Sequence, residues 1–406
     1  MLLVLRLGAH QLLNTRVGGH AAVATSVDLA KAVAGPRVSG YVNAVLRRVS
    51  TRDLDAWLAL IAPDTGADRN RRLALRHSHP EWIVAAYADA LGEAADEELE
   101  AALAAGNARP RVTLAAFPGG RPREELMPAD AEPGRWSPYA FTLAAGDPAG
   151  LVAAGEAAVQ DEGSQLAAIA LARAPVLPAA AMPEARGGTE LWLDVCAGPG
   201  GKSRLLVGLA GLSGDGSARL IAAEIHPHRA ALVEQAIARA AISAHVPLEY
   251  QVLVADGTRP PWRSPASPPE AAGLSSPDGG FDRVLLDVPC SGLGALRRRP
   301  EARWRKSAAD IAPLAELQRA LLRSALRAVR PGGVVAYVTC SPVPAETRDV
   351  VADVAGADSE VEVLDAPAVL SQVPGVASPN PLFAQLWPHR HSTDAIFVAL
   401  LRRGTK

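Results

Sequence analysis

Apolar and polar positions follow two regimes along the chain, changing near residue 150. Through residue 60, apolar residues recur at helical spacing: Leu2, Leu3, Leu5, Leu12 and Leu13, then Val23, Val27, Leu29 and Val33. Gly35-Pro36 breaks that run, and Val42, Val45, Leu46 and Val49 predict a further helix. Residues 68–106, rich in Ala and Glu, predict more helix. Residues 107–148 are Pro-rich with short strand-like pieces, which predicts a small mixed unit. A helix is predicted over 151–172 and a loop over 175–188. Five short apolar runs then alternate with helical stretches: Leu191–Val195, Leu220–Ile225, Tyr250–Val254, Val284–Leu286 and Val334–Val338. Such alternation predicts βαβ units and a parallel sheet. Ligands of these sheets sit beyond the carboxyl ends of the strands, so the residue after each run is where chemistry is expected. Residues 258–280 form a Pro/Ser/Gly-rich insertion, expected as a surface loop. No internal repeat is present.

Composition changes this picture little. Hydrophobic residues at 49% and charged residues at 21% of 406 allow large cores, in two or three domains of roughly 100–200 residues. The three cysteines, Cys196, Cys290 and Cys340, are odd in number and far apart, which argues against a disulfide framework. No Cys/His cluster has zinc-ligand spacing, so no metal is expected, and a reducing cytoplasm fits. Arg6 interrupts the apolar start, no signal-cleavage pattern follows, and no run reaches the roughly 18 apolar residues of a membrane span.

Charge changes the picture more. Net charge is −2, yet basic residues cluster. Residues 1–52 carry Arg6, Arg16, Lys31, Arg37, Arg47, Arg48 and Arg52 against Asp28 alone, and 297–306 carry Arg297, Arg298, Arg299, Arg303, Arg305 and Lys306 against Glu301. Two such patches on a neutral body fit phosphate contacts, although either alone is as readily a solvated face.

The strand ends carry the candidate chemistry. The first run ends in a glycine-rich turn, 194–203 (DVCAGPGGKS). The dinucleotide pattern G-x-G-x-x-G fails there at Ser203, and the phosphate loop G-x-x-x-x-G-K-[ST] fails at Cys196. Glu224 ends the second run, where a carboxylate can hold both ribose hydroxyls, and Asp256 follows the third, where an acid can meet an adenine amino group. Each acid alone could merely cap the next helix. Asp287-Val288-Pro289-Cys290 ends the fourth run and Thr339-Cys340-Ser341 the fifth. A lone cysteine is usually a small buried hydrophobe, but two placed directly after adjacent strands at a ligand-binding edge point to thiol chemistry. Cys196, inside the glycine turn, reads as packing.

Together these segments resemble the RsmB/Nop2/Sun family of RNA cytosine-carbon-5 methyltransferases. The likeness covers DVCAGPGGKS (194–203), AAEIHPHRA (222–230), VADG (254–257), LLDVPCSGLGALRRRPEARW (285–304), YVTCSP (337–342) and VQDEGSQ (159–165). It departs at Gly198 before Pro199, where Ala is commoner, at Glu224 where Asp is commoner, and at HSTDAIF (391–397), which is less Gly-rich. LRLGAHQLL, HAAVATSVDLAKA and GYVNAVLRRVS resemble the later part of the NusB-like RNA-binding domain of the bacterial 16S rRNA members, with Met1 falling inside one of its helices.

The resemblance implies an α/β fold: a Rossmann-like S-adenosylmethionine-dependent methyltransferase sheet with helices on both faces. It is preceded by an all-α NusB-like segment and a small α+β unit. The expected domains are a partial NusB-like domain (1–60), linker helices with a small α+β RNA-binding subdomain (61–148) and the catalytic domain (149–406). It implies Cys340 as nucleophile toward carbon-6 of cytosine, and Cys290 as the cysteine assisting proton removal and release. Asp287 would sit at the base edge with Lys202 as its charge partner. Cys196, Ala197, Gly198, Pro199, Gly200, Gly201, Lys202, Glu224, Arg229, Asp256 and Asp287 would line the S-adenosylmethionine site. Arg297, Arg298, Arg299 and Arg303 are expected on RNA phosphates, and Trp304 either stacks on a base or packs in the core. The target base must leave its stack to reach a buried thiolate, which favours an accessible cytosine. The expected partner is 16S rRNA, with a monomer acting in the cytoplasm. A transfer RNA substrate is the alternative. A phosphate-loop NTPase and a non-catalytic RNA-binding module are the rivals from other classes.

Overall fold

The computed structural model describes residues 1–62, 68–144, 146–178, 189–212, 218–246, 249–259 and 280–405, which pack as two units, Met1–Glu81 and Trp82–Lys406. The first unit is helical. Its helices Leu2–Asn14, Gly19–Ala34 and Ser39–Val49 close around Val4, Val23, Ala30, Val42 and Leu46. Gly35, at φ +84°, ends the second of these by donating its N–H to the Lys31 carbonyl, where the sequence predicts the break. Gly8 lets the first and third helices approach: a Cβ there would lie 2.6 Å from a Leu46 methyl.

The second unit contains two sheets. The smaller runs β2-β3-β1-β4, with β1 Val112–Ala116, β2 Glu132–Pro133, β3 Ala140–Leu143 and β4 Ala157–Val159, all neighbours antiparallel. The single helix expected over 151–172 is instead two helices, Ala149–Ala153 and Glu162–Arg173, separated by β4. Gly155, at φ +74°, turns the chain out of the first. Asp161 caps the second by accepting the Gly163 N–H at 3.0 Å.

The larger sheet is made of β5 Leu191–Asp194, β6 Arg219–Glu224, β7 Glu249–Val254, β8 Phe281–Asp287, β9 Val329–Thr339, β10 Val361–Leu364, β11 Ala384–Gln385 and β12 Phe397–Arg403. Its order is β10-β12-β9-β8-β5-β6-β7, with β11 beside β12. The stretch β9-β8-β5-β6-β7 is parallel, and β12 runs antiparallel to β9. Chain order reverses between β5 and β8, so the crevice for a ligand opens at their carboxyl ends. Along the parallel strands successive residues enter opposite cores: Trp192, Leu285, Ala336 and Val338 join helices 162–173 and 201–211, while Leu193, Leu286, Val335 and Tyr337 join helices 311–328 and 348–356. Burial on both faces is why these strands read as unbroken apolar runs.

Arg204 joins the two sheets. It is 3% exposed and donates to the carbonyls of Ala115, on β1, and Gly155, while its guanidinium lies 5.1 Å from the centre of the Phe117 ring. Burial pulls its pKa down to about 10. On the same helix Gly208 meets Phe117 and Pro118 with no room for a Cβ. Most of the expected insertion, residues 260–279, and of the expected loop, residues 179–188, lie outside the described residues.

Candidate active site

The glycine turn is held from three sides. Gly200, at φ +104°, begins the helix Gly201–Gly211 and packs against Val233, with Val233 Cα 2.9 Å from where a Cβ would stand. The Gly198 N–H donates to Glu224 Oε2 at 3.1 Å and its carbonyl accepts from Arg229 at 2.6 Å. A Cβ on Gly198 would meet that same Glu224 oxygen and the Arg229 guanidinium, so both side-chain ends would have to shift. Glu224 also accepts the His226 N–H on Oε1 and pairs with Arg229 at 3.7 Å. Asp256 folds its Oδ1 onto the Thr258 N–H and hydroxyl, which lower its pKa.

Asp194 lies beneath the turn, 1% exposed. One carboxylate oxygen accepts the Ser203 hydroxyl at 2.7 Å, while the other is buried without a partner. Burial raises the carboxyl to about 7, against the pull of the Ser203 bond. Cys196 packs against the core, and burial drives its thiol far above the ordinary range, with Asp194 adding to the effect. This is the packing position the sequence reading gives Cys196.

Across the crevice, Lys202 donates to Asp287 at 2.6 Å, both side chains largely buried. Burial works to lower the ammonium, but the charge and bond of Asp287 outweigh it and hold Lys202 up. Beside this pair the sulfurs of Cys290 and Cys340 stand 3.3 Å apart. Hydrogen bonding from Cys290 lowers Cys340 against burial and the charge of Asp287, with Lys202 also favouring its thiolate. The same contact raises Cys290, with burial and Glu346 adding to it. The contact therefore favours a thiolate on Cys340 over one on Cys290. The two loops touch again at Gly294, whose N–H donates to the Cys340 carbonyl at 2.8 Å and which has no room for a Cβ.

The basic strip after Cys290 is divided. Arg297 bonds Asp161 and Asp394 at 2.6 Å each, and Arg298 bonds the same two carboxylates at 2.8 and 2.9 Å. Arg303, 2% exposed, donates to Asn107 and to the Gly106 carbonyl. The expectation that Arg297, Arg298 and Arg303 hold phosphates is therefore corrected: each bonds groups inside the protein, which holds the strip in place. Arg299 and Arg305 remain exposed, as does Trp304 at 64%, which excludes the core reading of that tryptophan. Sequence reasoning missed Asp161, Asp394 and Glu346. The first two lie in segments the resemblance singled out (VQDEGSQ and HSTDAIF), but nothing local marks them as partners of arginines.

Comparison with known proteins adds to this geometry. A family model described as 16S rRNA methyltransferase RsmB/F matches residues 184–402, and one described as NusB family matches residues 1–51. A Mycobacterium tuberculosis protein described as a methyltransferase is 48% identical over 405 residues, which is 99% of this chain and 80% of that protein. Ribosomal RNA small subunit methyltransferase B of Sodalis glossinidius is 31% identical over 417 residues, 99% of this chain and 81% of that one. Among solved structures, a methyltransferase homolog protein from Pyrococcus horikoshii matches with a TM-score of 0.61 at 19% identity, over 83% of this chain and 100% of its own. NSun6 from Pyrococcus horikoshii, solved with SFG, matches with a TM-score of 0.59 at 16% identity, over 80% and 98%. At these identities the two structures speak for the fold.

Proposed function

Since the chain belongs to the 16S rRNA methyltransferase RsmB/F family, we propose that it methylates carbon-5 of a cytosine in 16S ribosomal RNA through a covalent adduct on Cys340. The observation that carries this reading is the pair of sulfurs 3.3 Å apart at the carboxyl ends of two adjacent parallel strands, beside Lys202 and Asp287. Membership of a methyltransferase family sets aside the phosphate-loop and non-catalytic readings.

The crevice at the carboxyl end of β5, with β6 on one side and β8 on the other, suits S-adenosylmethionine. The turn 196–202 offers backbone that a ligand can approach closely, Glu224 and Asp256 suit ribose and adenine, and Asp194 keeps an unpartnered buried oxygen beneath the turn. Bound there, S-adenosylmethionine supplies the methyl group that carbon-5 of the activated ring takes up. The remaining work falls to the protein. The Cys340 thiolate adds to carbon-6, and its electron pair turns the ring into an enamine nucleophilic at carbon-5. Asp287, fixed by Lys202, accepts from the cytosine amino group and orients the base. The carbon-5 proton then passes to solvent, its bonding pair re-forms the carbon-5–carbon-6 double bond, and the carbon–sulfur bond breaks, returning its electrons to Cys340. We assign Cys290 to this release, its S–H bonding the departing sulfur. Residues 1–51, with Arg47 and Arg48 exposed, and the exposed Arg299 and Arg305 would hold the RNA backbone. We place the work in the cytoplasm, by a monomer. No helix among the described residues is long and apolar enough to cross a membrane.

The test uses 16S rRNA containing 5-fluorocytidine, incubated with the protein and S-adenosylmethionine. Fluorine at carbon-5 blocks elimination, so an adduct should survive a denaturing gel. It should persist in Cys290→Ala and be absent in Cys340→Ala. No adduct in the wild type, with the cofactor bound, would refute the covalent mechanism.

A further inference from the structure

We propose that Glu346 is a positioning residue that clamps the two cysteine loops together and gives the two sulfurs their separate roles, a proposal that rests on reading Cys340 as the nucleophile. Glu346 is fully buried, at 0% exposure, in the 3-10 turn Pro344–Glu346. Its Oε1 accepts the Ser291 N–H at 2.7 Å and the Gln318 amide at 3.2 Å. Its Oε2 accepts the hydroxyls of Ser291 at 2.5 Å and Ser341 at 2.7 Å. Ser291 directly follows Cys290, and Ser341 directly follows Cys340. One carboxylate thus spans the residues next to both sulfurs, and the two hydroxyls also touch each other at 3.1 Å.

All four groups facing this carboxylate are donors, two to each oxygen, which is the complement an ionised carboxylate accepts. None of the described ion pairs involves Glu346, so no cation cancels its charge. That charge acts unequally on the two thiols. Cys290 faces Cys340 and Glu346, with Tyr337 near it, and the Gly292 backbone works the other way by lowering its thiol. Cys340 faces Cys290, Asp287, Lys202 and Asp394. Glu346 therefore disfavours a thiolate on Cys290, whereas on Cys340 the Cys290 hydrogen bond and Lys202 favour the thiolate against burial, Asp287 and Asp394. Helix 311–328 contributes Gln318, which also donates to the Pro289 carbonyl at 2.9 Å, so the clamp is braced from a third element.

The experiment measures site-resolved alkylation of each cysteine by iodoacetamide across pH, by mass spectrometry. The full chain is used as wild type, Glu346→Gln and Ser341→Ala. Binding of S-adenosylmethionine reports that each variant is folded. In the wild type, Cys340 should reach half-alkylation at lower pH than Cys290. In Glu346→Gln the two midpoints should approach each other, the Cys340:Cys290 labelling ratio falling roughly tenfold for each pH unit of approach. An unchanged ratio with cofactor binding intact overturns the proposal. If Glu346→Gln loses cofactor binding, Ser341→Ala decides: a smaller ratio supports the clamp, and an unchanged one overturns it. The readout requires no RNA and no methyl transfer, so it separates failure of the clamp from failure of the assigned reaction, which the 5-fluorocytidine adduct reports.

Discussion

Replacing Arg297 by alanine separates two roles that charge alone cannot. The side chain is 9% exposed, and the Asp161 and Asp394 side chains it bonds are 8% exposed each. Its removal leaves two buried carboxylates facing one remaining cation, Arg298, and frees the Ser392 carbonyl it also bonds at 2.9 Å. Breaking a buried pair costs about 3–5 kcal/mol. Because Arg298 still faces both acids, the lower end applies, about 3 kcal/mol. At about 2–4 °C per kcal/mol for a domain of this scale, the melting temperature should fall roughly 6–12 °C. Arg299→Ala, on the exposed side of the same strip, should leave melting unchanged and instead lower the slope of log K for RNA against log salt by roughly 0.7–0.9. Calorimetry and a salt titration of RNA binding read the two effects independently. If Arg297→Ala melts within a degree of wild type and loses salt slope as Arg299→Ala does, the internal role assigned to Arg297 is wrong.

Three other outcomes are expected. Gly198→Ala should displace Glu224 from the turn and cost a charge-assisted hydrogen bond of about 1.5–3 kcal/mol, weakening S-adenosylmethionine roughly 10- to 150-fold by calorimetry. Asp194, whose folded pKa of about 7 lies above its ordinary 3.8, binds a proton more tightly when folded. Its contribution to stability is thus complete below about pH 4 and lost as pH rises through 7, with a slope of roughly 1.4 kcal/mol per unit. Asp194→Asn should flatten that slope in denaturant titrations, and an unchanged slope would reject the buried acid. Trp304→Ala should leave melting unaltered and weaken RNA binding by the roughly 1–3 kcal/mol of one stacked base; equal RNA affinity would remove Trp304 from the interface.

What the sequence discloses and what it conceals follow a physical division. The parallel strands are legible because burial on both faces demands apolar runs, and the site residues follow them by topology, so Asp194, Glu224, Asp256, Asp287, Cys290 and Cys340 can be found from strand ends. β4 is concealed because the Ala-rich stretch 153–158 suits a helix, and only its ladder to β1, over 40 residues away, decides otherwise. The arginine strip is misread for a related reason. Sequence shows a charge and not its partner, and Arg297 finds its carboxylates 136 and 97 residues away. Glu346 lies five residues from Ser341, yet its bond to Ser291 crosses 55.

The seam at Arg204 bears on motion. A guanidinium bonded to two backbone carbonyls cannot let one sheet swing from the other without leaving buried donors unmet, and Gly208, pressed on Phe117 and Pro118, leaves no slack for sliding. Arg204 and Gly208 thus tie the small sheet to the helix Gly201–Gly211 that follows the glycine turn. Backbone amides on β1 and β6 should exchange with deuterium in the same slow regime. An RNA reaching Cys340 would then be expected to supply the bending itself.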